Sequence, residues 1–192
     1  MFHSRHPKLI VTSVRMIAIA AAMLMLSVLT ATRSRAAFSD TTDNLSNTFA
    51  SGSVVLTDDD TGSAMFTATE MTPGVPVVEC ITLTYSGSLV PADIRMYGTS
   101  SGALAPYLDT TIEVGTGGSF GDCTGFTSSS TIYSDTLSNF STTHTNWTSG
   151  LATFTAAVNP TSRTLRFTVD VQNDPSAQGQ SATADFTFEA QD

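Results

Sequence analysis

Beyond residue 37 the sequence contains no lysine, one histidine (His144) and three arginines, Arg95, Arg163 and Arg166. Each scarcity removes a class of function. Without lysine there is no amine for a Schiff base. Zinc proteases commonly draw two imidazoles from a His-Glu-x-x-His helix, and His144 stands alone in Thr142-Thr143-His144-Thr145, a polar stretch read as a solvated loop. No Gly-x-Ser-x-Gly elbow accompanies it, and no glycine-rich phosphate loop opens onto a helix. Neither cysteine, Cys80 nor Cys123, has a basic or catalytic neighbour that would make it a reactive thiolate. No catalytic residue, metal ligand set or cofactor is therefore assigned. The charge is also one-sided. All 17 acids lie after residue 37, and against three arginines they leave a formal charge of −14 on that part of the chain. Like charge repels, so nucleic acid and anionic lipid are poor partners.

The first 37 residues have the opposite character. A basic stretch with Arg5, Lys8 and Arg15 leads into an apolar run from Met16 to Ala31, then a short polar exit ends in Ala36 and Ala37. That order is a signal peptide. As a helix the run would reach roughly 24 Å, short of the ~30 Å of a hydrocarbon core. Residues 1–37 are thus expected to be cleaved during export, with no permanent membrane span, and an uncleaved outward-facing helix is the alternative. Small residues at Ser34 and Ala36 favour a mature start at Ala37.

What remains, about 155 residues, is the size of one domain. Threonine, serine, glycine, valine and phenylalanine dominate it, and β-branched residues pack well on pleated surfaces. Alternation predicts strands over 77–85, with Ile81, Leu83 and Tyr85 inward and Cys80 outward, over 108–114, over 165–171, and over 182–190 with Phe186 and Phe188 in the core. Further strands are expected over 48–57, with a bulge at Gly52, and over 64–69. Pro91 demotes 89–97 to an edge strand or two pieces. Residues 115–146 read as long loops around one or two short strands or a helical turn. Turns fall at Asp58-Asp59-Asp60-Thr61-Gly62 and Thr72-Pro73-Gly74. The aspartates are a charged turn, with a calcium site as the alternative. The fold class is all-β, a jelly-roll-like two-sheet sandwich over 38–192. In an oxidising exterior Cys80 and Cys123 are expected to form a disulfide, with two separate thiols as the alternative. Residues 38–56, with Phe38, Phe49, Val54 and Leu56, are a plausible arm to be donated into a neighbour's sheet edge, or else an ordinary first strand.

Several blocks resemble one family. Ala36-Ala37-Phe38-Ser39-Asp40, then Thr48-Phe49-Ala50-Ser51-Gly52-Ser53-Val54, the Met71-Thr72-Pro73-Gly74 turn, Ser86-Gly87-Ser88-Leu89, and Gln178-Gly179-Gln180-Ser181 leading into Phe186-Thr187-Phe188-Glu189-Ala190-Gln191 are similar to the TasA/camelysin (CalY) family of secreted bacterial proteins. The resemblance implies processing by a SipW-type signal peptidase with the cut before Phe38, one residue later than local rules place it. It also implies jelly-roll subunits of extracellular biofilm-matrix fibres, self-associating by strand donation from the N-terminal arm. Some members are described as metalloendopeptidases, an expectation from which this chain departs in having no paired histidines. Cys80, Cys123 and the region 115–146 depart from the family pattern. Two other expectations stand beside the fibre subunit: a camelysin-like secreted metalloendopeptidase, and a monomeric cell-surface adhesion module.

N-terminal sequencing of the exported protein is expected to begin at Ala37 or Phe38. A chain that retains Met16 to Ala31 would show instead that the leader is an anchor.

Overall fold

In the computed structural model, residues 51–192 are described. The leader, its cleavage position at Ala37 and Phe38, and Phe49 lie outside the described residues. Eight strands, one short α-helix and two 3-10 turns follow in the order β1 (Leu56–Asp58), β2 (Val77–Tyr85), β3 (Ala92–Ser101), a 3-10 turn (Ala105–Tyr107), β4 (Leu108–Thr116), β5 (Thr127–Thr136), α1 (Leu137–Thr143), β6 (Leu151–Ala156), β7 (Thr161–Val171), a second turn (Pro175–Ala177) and β8 (Thr183–Gln191). They form two antiparallel sheets, a five-stranded one in the order β1-β2-β7-β4-β5 and a three-stranded one in the order β6-β3-β8. The result is an all-β two-sheet sandwich.

Alternation along the strands builds the core. Ile81, Leu83 and Tyr85 on β2, Leu165 and Phe167 on β7, and Ile112 and Val114 on β4 are buried from one sheet, and Ile94 and Met96 on β3 from the other. β2 and β7 pair over nine residues, from Val77 opposite Val169 to Tyr85 opposite Thr161, so their apolar rows stay level. Phe167 meets Phe186 of β8 across the sandwich at 5.1 Å between ring centroids. On the outward face hydroxyls pair across strands, Thr82 with Thr164 at 3.1 Å and Thr84 with Ser162 at 2.9 Å.

The helix closes one end of the core. Thr136 caps it by accepting from the Asn139 amide at 3.2 Å. Leu137 and Phe140 are buried, and the Phe140 ring lies 5.4 Å from Tyr133 and 5.5 Å from Phe186.

Four expectations need correction. Residues 64–69 form no strand: neighbouring Met65 and Phe66 both pack on the core, and consecutive inward side chains cannot alternate. Pro91 does not mark an edge, because β3 begins at the next residue and is the middle strand of its sheet. Residues 115–146, read as long loops around one or two short strands or a helical turn, contain both a full ten-residue strand over 127–136, held by its ladder to β4, and the helix α1, so the loops are shorter than expected. No bulge forms at Gly52, which lies before the first strand.

Replacing Phe167 with alanine removes the ring that both sheets share. The expected loss is about 3–5 kcal/mol, read as a lowered denaturant midpoint with an unchanged slope; a loss below 1 kcal/mol would show that the core does not depend on it.

Candidate functional site

The surface features with functional potential are the sheet edges, since an unpaired strand edge is a ready template for another strand. The two sheets treat their edges differently. β1 covers only the C-terminal part of β2, with Leu56, Thr57 and Asp58 opposite Tyr85, Thr84 and Leu83. Upstream, the chain keeps to the same line: Val55 accepts from the Ser86 amide at 2.9 Å, and Ser53 accepts from Leu89 at 3.2 Å. Val54 is 40% exposed. The described end of the expected donor arm, including Leu56, therefore lies on its own sheet.

Past Asp58 the backbone leaves the ladder and side chains take over. One oxygen of Asp59 accepts from the Thr82 amide and the other from the Phe120 amide, each at 2.8 Å. A carboxylate here stands where the next strand carbonyl would be, and ties β2 to residues 117–126. That segment is a flap folded back from the β4–β5 hairpin. Gly117, Gly118, Gly121 and Gly125 all have positive φ, which lets it reverse sharply. The flap crosses β7, where the Arg166 guanidinium sits 4.7 Å from the Phe126 ring, and reaches β2, where the Gly121 amide donates to the Cys80 carbonyl at 3.1 Å. Cys123 is disulfide-bonded to Cys80 there, with Cα atoms 5.3 Å apart. Cys80 does face away from Leu83, as alternation required. It is fully buried nonetheless, because the flap covers the outer face at this point.

Electrostatics reinforce the flap. Arg166 donates through Nε to Glu113 at 2.8 Å, and this is the one ion pair among the described residues. Burial alone would raise the Glu113 pKa, but hydrogen bonds from Arg166 and Ser128 outweigh it and hold it below the ordinary value. Burial raises Glu79. Asp58 is raised too, by burial and by the adjacent Asp60 carboxyl. No cluster of three potential metal-ligating side chains occurs among the described residues. Asp59, whose two oxygens are taken by backbone amides, has a structural task within the acidic turn.

The small sheet ends differently. β8 is its outer strand, and among the described residues its far edge has no backbone partner. Its inward residues Phe186, Phe188 and Ala190 are only half-buried. Beside this flank run residues 64–72, here called the strap. Phe66 packs edge-on against Phe167 at 6.0 Å, the same ring that Phe186 touches, and Met71 and Phe186 each pack against the neighbouring apolar cluster that includes Leu108 and Val171. From residue 64 to 71 the strap makes no backbone hydrogen bond among the described residues. It is anchored at its end by the Thr72-Pro73-Gly74 turn, in which Gly74 has φ +80° and donates to Asp170 at 3.1 Å.

His144 is not the solvated loop residue expected. It caps α1, its ring lies 5.8 Å from Tyr133 and 5.4 Å from Phe140, and Nδ1 lies 2.6 Å from the Ser149 carbonyl oxygen. The ring fills space at a helix end, where the sequence window shows only polar neighbours. The roles of Asp59 and Phe126 were also invisible in the sequence. A glycine at every third or fourth position around Cys123 was the one available sign of a folded-back flap.

Compared with known proteins, no protein-family model matches the chain and no curated protein matches its sequence. Among the described residues no helix is long and apolar enough to cross a membrane.

Replacing both Cys80 and Cys123 with serine is expected to cost about 3–5 kcal/mol in the chain-entropy account. Limited proteolysis of the double variant should cut first within residues 117–126. Unchanged stability and an uncut flap would show that the Asp59 and Gly121 bonds suffice.

Proposed function

We propose that the processed chain is a secreted structural subunit that self-assembles into extracellular fibres or matrix by β-strand donation. The observation that carries this reading is the asymmetry of the sheet edges. The β2 edge is closed by a strand, a carboxylate, a flap and a disulfide. Among the described residues the nine-residue β8 edge is unpaired, with half-buried phenylalanines beneath it and residues 64–71 without ladder bonds. A strand arriving here would pair with β8 and bury Phe186 and Phe188. A second copy of the chain can supply one from the arm over 38–56. Because residues 53–58 bind their own sheet, the donated part falls within 38–52. On this reading the sandwich is a jelly-roll variant one strand short in its small sheet.

Export fits the same picture. The basic-apolar-small leader reads as a signal peptide handled by signal peptidase, and a disulfide persists in oxidising compartments outside the cytoplasm. The resemblance to the TasA/camelysin family supports a biofilm-matrix role at the bacterial cell surface.

Electron microscopy of the processed protein at rising concentration is expected to show fibres. Removing residues 38–50, which leaves β1 in place, should abolish them while keeping the folded circular dichroism spectrum. Fibres that persist after this deletion would sink donation from the arm.

A further inference from the structure

The outward face of the small sheet carries a second feature, one that strand donation does not use. A hollow of about 320 Å³ is lined by Pro91, Asp93, Arg95, Trp147, Gln191 and Asp192. We propose that it is a binding site for a neutral saccharide.

The case begins with Arg95, which has no acidic partner among the described residues of a strongly acidic chain. Its cross-strand neighbour is Glu189, but the Glu189 oxygens are taken, one by the Tyr97 hydroxyl at 2.7 Å and the other by the Gln191 amide at 2.6 Å. The guanidinium turns instead to Trp147. It lies 4.9 Å from the ring and donates through Nη1 to the Trp147 carbonyl at 3.2 Å. Its Nε is buried without a partner, which is unusual because buried donors are nearly always satisfied. The guanidinium thus stacks on an aromatic ring at the wall of the hollow, and its Nη2, unlike the buried Nε, is not shut away and makes no hydrogen bond among the described residues, which leaves a donor for a ligand oxygen.

The other walls narrow the occupant's chemistry. Asp93 receives the Thr155 hydroxyl at 2.7 Å on one carboxylate oxygen, leaving the other as an acceptor. Gln191 and Asp192 add further planar polar groups. The lining thus holds both acceptors and donors, as vicinal hydroxyls require, since each hydroxyl both donates and accepts. Trp147 adds apolar surface to the lining beside the Arg95 stack. Two carboxylates and the overall negative charge disfavour anions, and the guanidinium disfavours cations. A neutral polyol satisfies both. The volume lies near the low end of the ~300–1,000 Å³ typical of ligand clefts, which suits a short stretch of glycan rather than a bulky ligand.

Trp147 is the only tryptophan in the chain, so its emission reports on this site directly. The processed protein is titrated with neutral oligosaccharides of glucose, galactose, mannose and N-acetylglucosamine, and in parallel with a uronate oligomer and with calcium chloride. A saturable emission change with at least one neutral oligomer is expected. Affinity electrophoresis through the corresponding polysaccharide should show binding weakened at least tenfold in Asp93→Ala and Gln191→Ala, both at exposed positions that leave the core intact. Thr111→Ala, on the opposite sheet, should bind as the parent does. The proposal is overturned by no saturable change at millimolar neutral sugar, by a response to uronate or calcium alone, or by undiminished binding in the two hollow variants. Fibre formation is scored separately, so loss of either property leaves the other readable.

Discussion

Phe167 is the point on which the two sheets depend. It sits on β7, the central strand of the large sheet, and its ring is met by Phe186 from the small sheet and by Phe66 from the strap. Aromatic rings bury large areas and prefer edge-on or tilted contacts, and the interplanar angles here are 54° and 75°. Because β2 and β4 flank β7 on either side, the position of this ring also fixes the level of Ile81, Leu165 and Ile112. Phe186 of the outer strand β8 meets Phe167 of β7, and Phe66 from the irregular residues 64–72 meets the same ring.

Edges are where the sandwich spends its special chemistry. An exposed edge invites promiscuous pairing unless it is covered, charged or interrupted. At β2 all three devices converge: the Asp59 carboxylate ends the ladder, the flap lies across the strand, and the disulfide fixes the flap. At β8 no strand or disulfide covers the far edge among the described residues, and Asp185 and Glu189 supply the strand's charge. A protein that protected itself from association in general would treat both edges alike. The other outer strands, β5 and β6, likewise have no strand partner on their far side among the described residues. The saccharide hollow lies on the outward face of the same small sheet, with its residues drawn from β3, β8 and the loop before β6, so a strand added at the β8 edge would not need the groups that line it.

Strands with one buried face were legible in the sequence. β2 was placed to the residue, and Ile81, Leu83 and Tyr85 point inward as their spacing demanded. β4, β7 and β8 were found by the same signal. β5 was not, because Thr127 to Thr131 are all small and polar and exposed on both faces; its place is set by hydrogen bonds to β4 rather than by its own pattern. Residues 64–69 failed in the opposite way. They are β-prone in composition, yet no strand offers them a ladder, and packing of Met65 and Phe66 prevails over propensity.

The sequence alone determined that the chain is β-rich and acidic, that its first 37 residues are basic and apolar rather than acidic, and that it offers a single histidine to chemistry beyond residue 37. These are properties of composition and of period-2 alternation, which act locally. Which edge is closed and which is open, and that Arg95 meets Trp147 over an unfilled hollow, only the tertiary structure decided. Both depend on groups tens of residues apart, such as Asp59 with Phe120 and Arg95 with Trp147. No local pattern encodes such pairs, because their meeting is fixed by how the two sheets end rather than by any one strand.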